Sequence, residues 1–318
     1  MLRKVAYNKI FRTTGMLIIL GLLFLFPVSK EYSLEKVSNY KKVMKEKESI
    51  VYLLDKNNYI SRVSINLSMK NKEEYAKSLV ELLIIDGKYE SLIPNGFKGI
   101  LPSNVSINSL VIQGDSVTID LSKDFYDISK EFEQKAVELL TYNLTSIDNV
   151  NKLFINIEGK KLNKLIKSSI NLSQPFTRED GVNKDNSSTS YKDVSKTTIY
   201  YIGKNNNSYY YIPVTKIKND KREKIEVIID ELSSSNTYGT NLISMLNYNT
   251  KLTSYKIEDN NFILNFNKYI FDDLISKRIL EEVVYTISLS VKENYNVNEV
   301  IFNVNNEEIT KSVLKNIE

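Results

Sequence analysis

Asp120 and Asp124 are the acid/base pair this sequence offers for chemistry. They sit four residues apart at the end of a predicted strand, and paired carboxylates can separate their pKa values into a proton donor and a proton acceptor. Two weaker constellations accompany them. Ser38-x-x-Lys41 has the spacing of a serine nucleophile with a lysine base, but no Lys-Thr-Gly follows anywhere in the chain. Asp55-Lys-Asn-Asn58 begins like a calcium loop and lacks its central glycine and closing glutamate. The chain contains no Cys and no His, which removes a Ser-His-Asp triad, a thiol nucleophile, imidazole-bound zinc and every disulfide. Its ten glycines form neither GxGxxG nor a phosphate-binding loop. The sequence is therefore read as non-enzymatic, with no catalytic residues, no cofactor and no metal. The Asp pair is read as a solvated strand-end turn, the Ser-Lys pair as a helix surface and Asp55–Asn58 as a polar turn.

The elements that would carry such residues belong to a globular chain. Its 318 residues are 42% hydrophobic and 26% charged, enough for two domains with their own cores. The net charge of +4 comes from interspersed Lys and Glu, a pattern that does not indicate nucleic acid. Arg3, Lys4, Lys9 and Arg12 precede an apolar run from Gly15 to Val28, closed by Lys30 and Glu31. Fourteen helical residues rise about 21 Å against a hydrocarbon core of ~30 Å, so the run spans only with its flanks included. Phe26-Pro-Val-Ser-Lys30 offers no Ala-x-Ala cleavage site. Residues 1–30 are accordingly expected to be a cytoplasmic tip and an uncleaved signal-anchor helix. The positive flank stays inside, and the bulk of this single-pass protein lies outside the cell membrane. Leu34, Val37, Tyr40 and Met44 share one helical face, so 31–49 reads as a juxtamembrane helical spacer.

Beyond the spacer the chain repeats itself. Asn149-Val-Asn-Lys-Leu-Phe-Ile-Asn-Ile157 returns as Asn296-Val-Asn-Glu-Val-Ile-Phe-Asn-Val304. Ile50–Leu54 matches Ile199–Ile202, Val117–Leu121 matches Phe262–Phe266, and Leu140–Leu144 matches Val283–Ile287, all in the same order. A period of this length is a whole domain rather than a solenoid unit. Within each copy the patterns give strand, strand, helix, strand, strand, helix, strand. Asn71 and Glu74 stand in capping-box positions before Tyr75, Leu79, Leu82 and Leu83, with Gly87 as the stop; Asp220 and Glu223 stand likewise before Ile225, Ile228, Ile229 and Leu232. The fold class is therefore α+β: two tandem copies of a small domain, each a mixed sheet with two helices on one face, preceded by a transmembrane helix. Domain one covers 50–166 and domain two covers 197–318. The polar stretch 167–196, with Gln174-Pro175 and Ser187–Ser190, reads as a flexible linker.

Leu92-Ile-Pro-Asn-Gly-Phe-Lys-Gly-Ile-Leu-Pro102 and Val117-Thr-Ile-Asp-Leu-Ser122 resemble signatures of the GerM sporulation and germination family. In copy two, Tyr210-Tyr-Ile-Pro-Val-Thr215, Ser244-Met-Leu-Asn247 and Leu264-Asn-Phe-Asn267 are similar to it as well. The resemblance spans about 50–309. It implies tandem GerMN domains outside the membrane of a spore-forming bacterium. It also implies a non-enzymatic role among envelope and sporulation channel proteins that link mother cell and forespore, with a homo-oligomer or ring as one form of assembly. Family members typically carry a lipobox Cys, which this chain lacks, and copy two departs from the pattern around Asn236–Gly239.

Exposed aromatics are the contact residues that such a role requires. Tyr200 with Tyr201 and Tyr209-Tyr210-Tyr211 lie on predicted strands, where alternation turns one side chain of each pair outward. Phe97 follows the tight turn Pro94-Asn95-Gly96. Phe97, Tyr200, Tyr209, Tyr210 and Tyr211 are the candidate interface residues, and partner strands adding to sheet edges are the expected mode. Two other readings remain: an extracytoplasmic module that binds a ligand or cell wall, or regulates a membrane kinase; and a carboxylate-based peptidoglycan hydrolase.

Overall fold

Each copy splits its strands between two sheets, and the two copies share one of them. The computed structural model describes residues 48–67, 71–206, 208–234 and 239–313. The signal anchor and nearly all of the spacer lie outside these residues. Among the described residues, no helix is long and apolar enough to cross a membrane. Lys47–Glu318 clusters as one unit.

Copy one opens with the hairpin β1 (Glu48–Asp55) and β2 (Ile60–Asn66), whose turn is set by Asn58 at φ 61°. Helix α1 (Lys72–Glu81) follows, and Asn71 caps it by accepting from Glu74 N at 2.8 Å. It ends at Glu81, before the expected stop at Gly87. The short β3 (Phe97–Lys98) returns to pair with β1. Next come β4 (Ile107–Gln113), β5 (Ser116–Leu121), helix α2 (Glu133–Leu144), β6 (Lys152–Ile157) and β7 (Lys160–Lys161). The four strands form their own sheet in the order β4-β5-β6-β7, in which β5 and β6 run parallel. Val117, Ile119 and Leu121 turn inward, as their period-two spacing predicts.

After β8 (Asp185–Asn186), copy two repeats the plan. The hairpin β9 (Val194–Asn205) and β10 (Ser208–Asn219) leads to helix α3 (Lys224–Ser233). Strands β11 (Leu252–Glu258) and β12 (Asn261–Phe266), helix α4 (Glu281–Asn294), and strands β13 (Glu299–Val304) and β14 (Glu307–Val313) complete it. Their sheet order β11-β12-β13-β14, with β12 and β13 parallel, reproduces copy one. The recurrent nine-residue motif is thus the parallel strand, β6 or β13. Helices α1 and α2 pack together in copy one, and α3 and α4 in copy two.

The expected single mixed sheet per copy gives way to a hairpin plus a four-stranded sheet. The two hairpins meet through β2 and β10, antiparallel, at the one pair Arg62 and Tyr211. Those positions are 149 apart, the offset that also separates Ile50 from Ile199. Equivalent residues facing each other are the mark of an isologous contact, so the copies relate by an approximate twofold through that pair.

Two other expectations are corrected. Helix α3 starts after Glu223 with no side-chain cap; Asp220 instead grips Arg222, and the Tyr295 hydroxyl accepts from Ile225 N at 2.9 Å. The stretch 167–196, read as a flexible linker from its polarity, is packed along much of its length. Phe176 pairs with Leu153, Val182 is fully buried against Thr215, and β8 runs parallel to β10. A few well-spaced apolar residues suffice to pin a hydrophilic segment when its backbone groups find strand partners.

Candidate functional site

Asp120 and Asp124 are the acid/base pair offered by the sequence, and both lie among the described residues. Asp120, on β5, accepts from Gly159 N at 2.7 Å and from Asn108 Nδ2 at 3.2 Å. Asp124 accepts from Ser122 Oγ at 2.8 Å and Asn104 Nδ2 at 3.0 Å. The two carboxyls hold different groups. Asn265 occupies the place of Asp120 in copy two, and its side-chain oxygen accepts from Asn306 N at 3.0 Å. The bond is the same one: Gly159 and Asn306 both sit at the turn after the parallel strand. An amide oxygen does in copy two what the carboxylate does in copy one, and an amide cannot shuttle protons. Asp55 is likewise occupied. Its carboxylate accepts from Asn57 N, Tyr59 N and the Tyr210 hydroxyl at 2.8–2.9 Å, closing the polar turn. Among the described residues no group of three acidic side chains could hold a metal ion. Two open hollows of about 320 and 380 Å³ are lined by neither Asp120 nor Asp124.

The candidate tyrosines gather at the seam between the copies. Tyr200 and Tyr201 are both buried, because both faces of β9 are covered, so alternation turns neither outward. Tyr200 meets Tyr52 hydroxyl to hydroxyl at 3.1 Å and donates to Glu293 at 3.0 Å. Arg178, from the connecting segment, lies between them. Its guanidinium donates to Glu293 Oε2 at 2.9 Å, Thr145 Oγ1 at 3.0 Å and Tyr142 O at 3.0 Å, and it lies 4.6 Å from the centre of the Tyr142 ring. Copy one contributes Tyr52, Tyr142 and Thr145; copy two contributes Tyr200 and Glu293. Burial works against the Arg178 charge, but Glu293 together with Tyr52, Tyr200 and Tyr142 outweighs it, holding the guanidinium pKa well above its ordinary value. Burial, with Glu293 behind it, raises the Tyr142 and Tyr200 hydroxyls well above theirs.

A second rivet lies on the other tyrosines. Tyr210 is buried with its ring edge-on to Phe97, 4.9 Å between centres, and its hydroxyl on Asp55. Burial and then Asp55 raise its pKa. Phe97 is half-buried between the two cores, and Asn205 donates to the Asn95 carbonyl beside it. Tyr211 is half-buried against Tyr285 of α4, 5.9 Å between ring centres. Where β2 and β10 splay apart, Asn183 fills the gap: it accepts from Ile60 N and donates to Ile60 O and Pro213 O. Only Tyr209 of the five candidates is exposed, at 44%. Arg178, Asn183 and Glu293 were not found from sequence. The available signal was Phe176 and Val182 flanking the Arg in an otherwise polar run.

The outer edges of the shared sheet are closed. Asn143 of α2 holds both Tyr52 N and Tyr52 O at the β1 edge, which β3 extends. Asn294 of α4 holds both Thr198 N and Thr198 O at the β9 edge, where Ile243 also bridges Ile202. The four-stranded sheets differ. Among the described residues β4 pairs only with β5 and β11 only with β12, which leaves two related edges without a strand partner there. All of β11 but Leu252 is exposed, including Tyr255 and Ile257. Open edges of this kind accept an added strand.

The family model described as "Germane: Sporulation and spore germination" matches residues 50–163 and again 198–310, the two copies seen in the fold. The spore germination protein GerM of Bacillus subtilis (strain 168) is 32% identical over 262 residues, covering 80% of this chain and 70% of that protein. The solved tandem GerMN domains of the sporulation protein GerM from Bacillus subtilis superpose with a TM-score of 0.77 at 29% identity. That match covers 85% of this chain and 98% of theirs.

Proposed function

This chain belongs to the Germane family of sporulation and spore-germination proteins, and from that premise we propose that it is a non-enzymatic, membrane-anchored scaffold of the spore envelope. The apolar run 15–28 anchors it, and the tandem unit stands outside the membrane, assembling with envelope partner proteins between mother cell and forespore. The observation that carries the non-enzymatic reading is the exchange of Asp120 for Asn265 in one and the same hydrogen bond. The best-placed carboxylate serves as a turn acceptor and its chemistry is dispensable.

The seam supports the scaffold reading from another side. Arg178, Asn183 and the tyrosines join the two copies, so partners meet a unit with fixed spacing between its open edges. Partner contacts are assigned to the β4 and β11 edges and to Tyr209, while Phe97, Tyr200, Tyr210 and Tyr211 serve the chain's own seam. Self-association into an oligomer or ring through those edges is one form the assembly takes. Isolating the tagged full chain from sporulating cells tests the proposal. Envelope proteins should co-purify and should be lost when prolines interrupt β11. A set of cytoplasmic proteins alone would overturn it.

A further inference from the structure

The two copies differ in sign at equivalent positions. The turn after β6 and the turn after β13 are matched by the shared hydrogen bond to Asp120 or Asn265. Following it, copy one carries Lys160 and Lys161, and copy two carries Glu307 and Glu308, all four exposed. In copy one a small hairpin continues the chain, with Leu165 N donating to Ile170 O and Leu172 N to Asn163 O. Leu162 and Leu165 anchor it in the core. Lys164 and Ile166, on either side of buried Leu165, point to solvent, Ile166 at 56% exposure and Ile170 across the hairpin at 40%.

Among the described residues, Lys160, Lys161 and Lys164 make no ion pair. The nearby carboxylates are engaged. Glu133 accepts from Lys167 N and Ser168 N, and Glu158 accepts from Lys123 N. Three cations without an ion pair and two exposed isoleucines thus fall within residues 160–170, and the equivalent start of the segment in copy two is acidic.

We propose that this element, β7 with the hairpin after it, docks on an anionic lipid bilayer. The lysines meet headgroup phosphates and Ile166 and Ile170 enter the interfacial layer. The isoleucines decide between a membrane and a soluble polyanion, since a polyanion would leave them in water. The inference goes beyond the scaffold role and is tested without the anchor, so its failure leaves that role standing.

Residues 47–318, which form one unit with their own cores, are mixed with phosphatidylglycerol–phosphatidylcholine vesicles and with pure phosphatidylcholine vesicles, then sedimented. Binding is expected only to the anionic vesicles. A lysine near an anionic surface contributes about fivefold in partition, so replacing Lys160, Lys161 and Lys164 together with Gln should lower binding roughly a hundredfold. The Ile166→Ser, Ile170→Ser variant should also bind less, with soluble polyphosphate affinity unchanged. All five side chains are exposed, and an unchanged melting temperature confirms that each variant is folded. Equal binding to neutral vesicles, or an isoleucine variant that binds anionic vesicles as the parent does, overturns the proposal.

Discussion

Replacing Arg178 with Ala should loosen the joint between the copies. The parent side chain makes hydrogen bonds to Glu293, Thr145 and the Tyr142 carbonyl, and the pair with Glu293 is only 26% and 7% exposed on its two sides. Truncation leaves the Glu293 carboxylate largely buried with Tyr200 as its remaining donor. Removing one partner of a buried pair costs about 3–5 kcal/mol, and partial exposure of the Arg places this site near the lower end, at about 3 kcal/mol. At about 2.1 cal/mol/K of unfolding entropy per residue, that is a fall in melting temperature of roughly 5 °C for a unit of this size. The assay is urea and thermal unfolding of residues 47–318 followed by tyrosine emission, since the chain is rich in Tyr and has no Trp. Arg178→Lys keeps the charge and loses the fork, and should fall between the two. If Arg178→Ala melts within about 1 °C of the parent, as truncating an exposed ion pair would, the cluster is not holding the seam.

Gly203 faces the Tyr210 ring so closely that an added Cβ would sit 2.3 Å from it. Gly203→Ala should therefore cost about 1–3 kcal/mol by overpacking and displace Tyr210 from Phe97 and Asp55, read as a lower urea midpoint. Stability should also fall at both pH extremes. Tyr142 and Tyr200 have folded pKa values raised above the ordinary 10.0. Their contribution is thus complete below about pH 10 and lost above it, as the unfolded chain ionises first. Glu133 is depressed, because donation from Lys167 and Ser168 outweighs its burial, so its contribution is lost as pH falls below the ordinary 4.5. Melting temperatures across pH should show both slopes, with Tyr142→Phe flattening the alkaline one and Glu133→Gln the acid one.

The features legible in the sequence were those written in local periodicity. The matched parallel strands, the alternation of Val117, Ile119 and Leu121, and the Asn71 cap need only neighbouring residues to be recognised. The tandem α+β plan followed from them. The division of each copy into a hairpin and a separate sheet was not legible. Pairing between β2 and β10 joins residues 149 positions apart, and nothing in either strand encodes its partner. Tyr200 and Tyr201 misled because alternation predicts an exposed face only when one face of a strand is bare. Here Tyr52 and Glu293 meet the Tyr200 hydroxyl, both held by Arg178 from inside a hydrophilic run, while Glu231 stands at the Tyr201 hydroxyl on the other face. Asp220 has the composition of a cap, but its carboxylate finds a stronger partner in Arg222.

Spore formation by cells whose only copy carries Asp120→Asn with Asp124→Asn is the most direct measurement of whether surfaces, rather than reactive groups, do this protein's work. Asn265 already performs the Asp120 bond in copy two, so the exchange should leave the melting temperature and the yield of germinating spores at the parent level. A folded double variant that accumulates normally yet fails to support sporulation would show that the carboxylates act chemically.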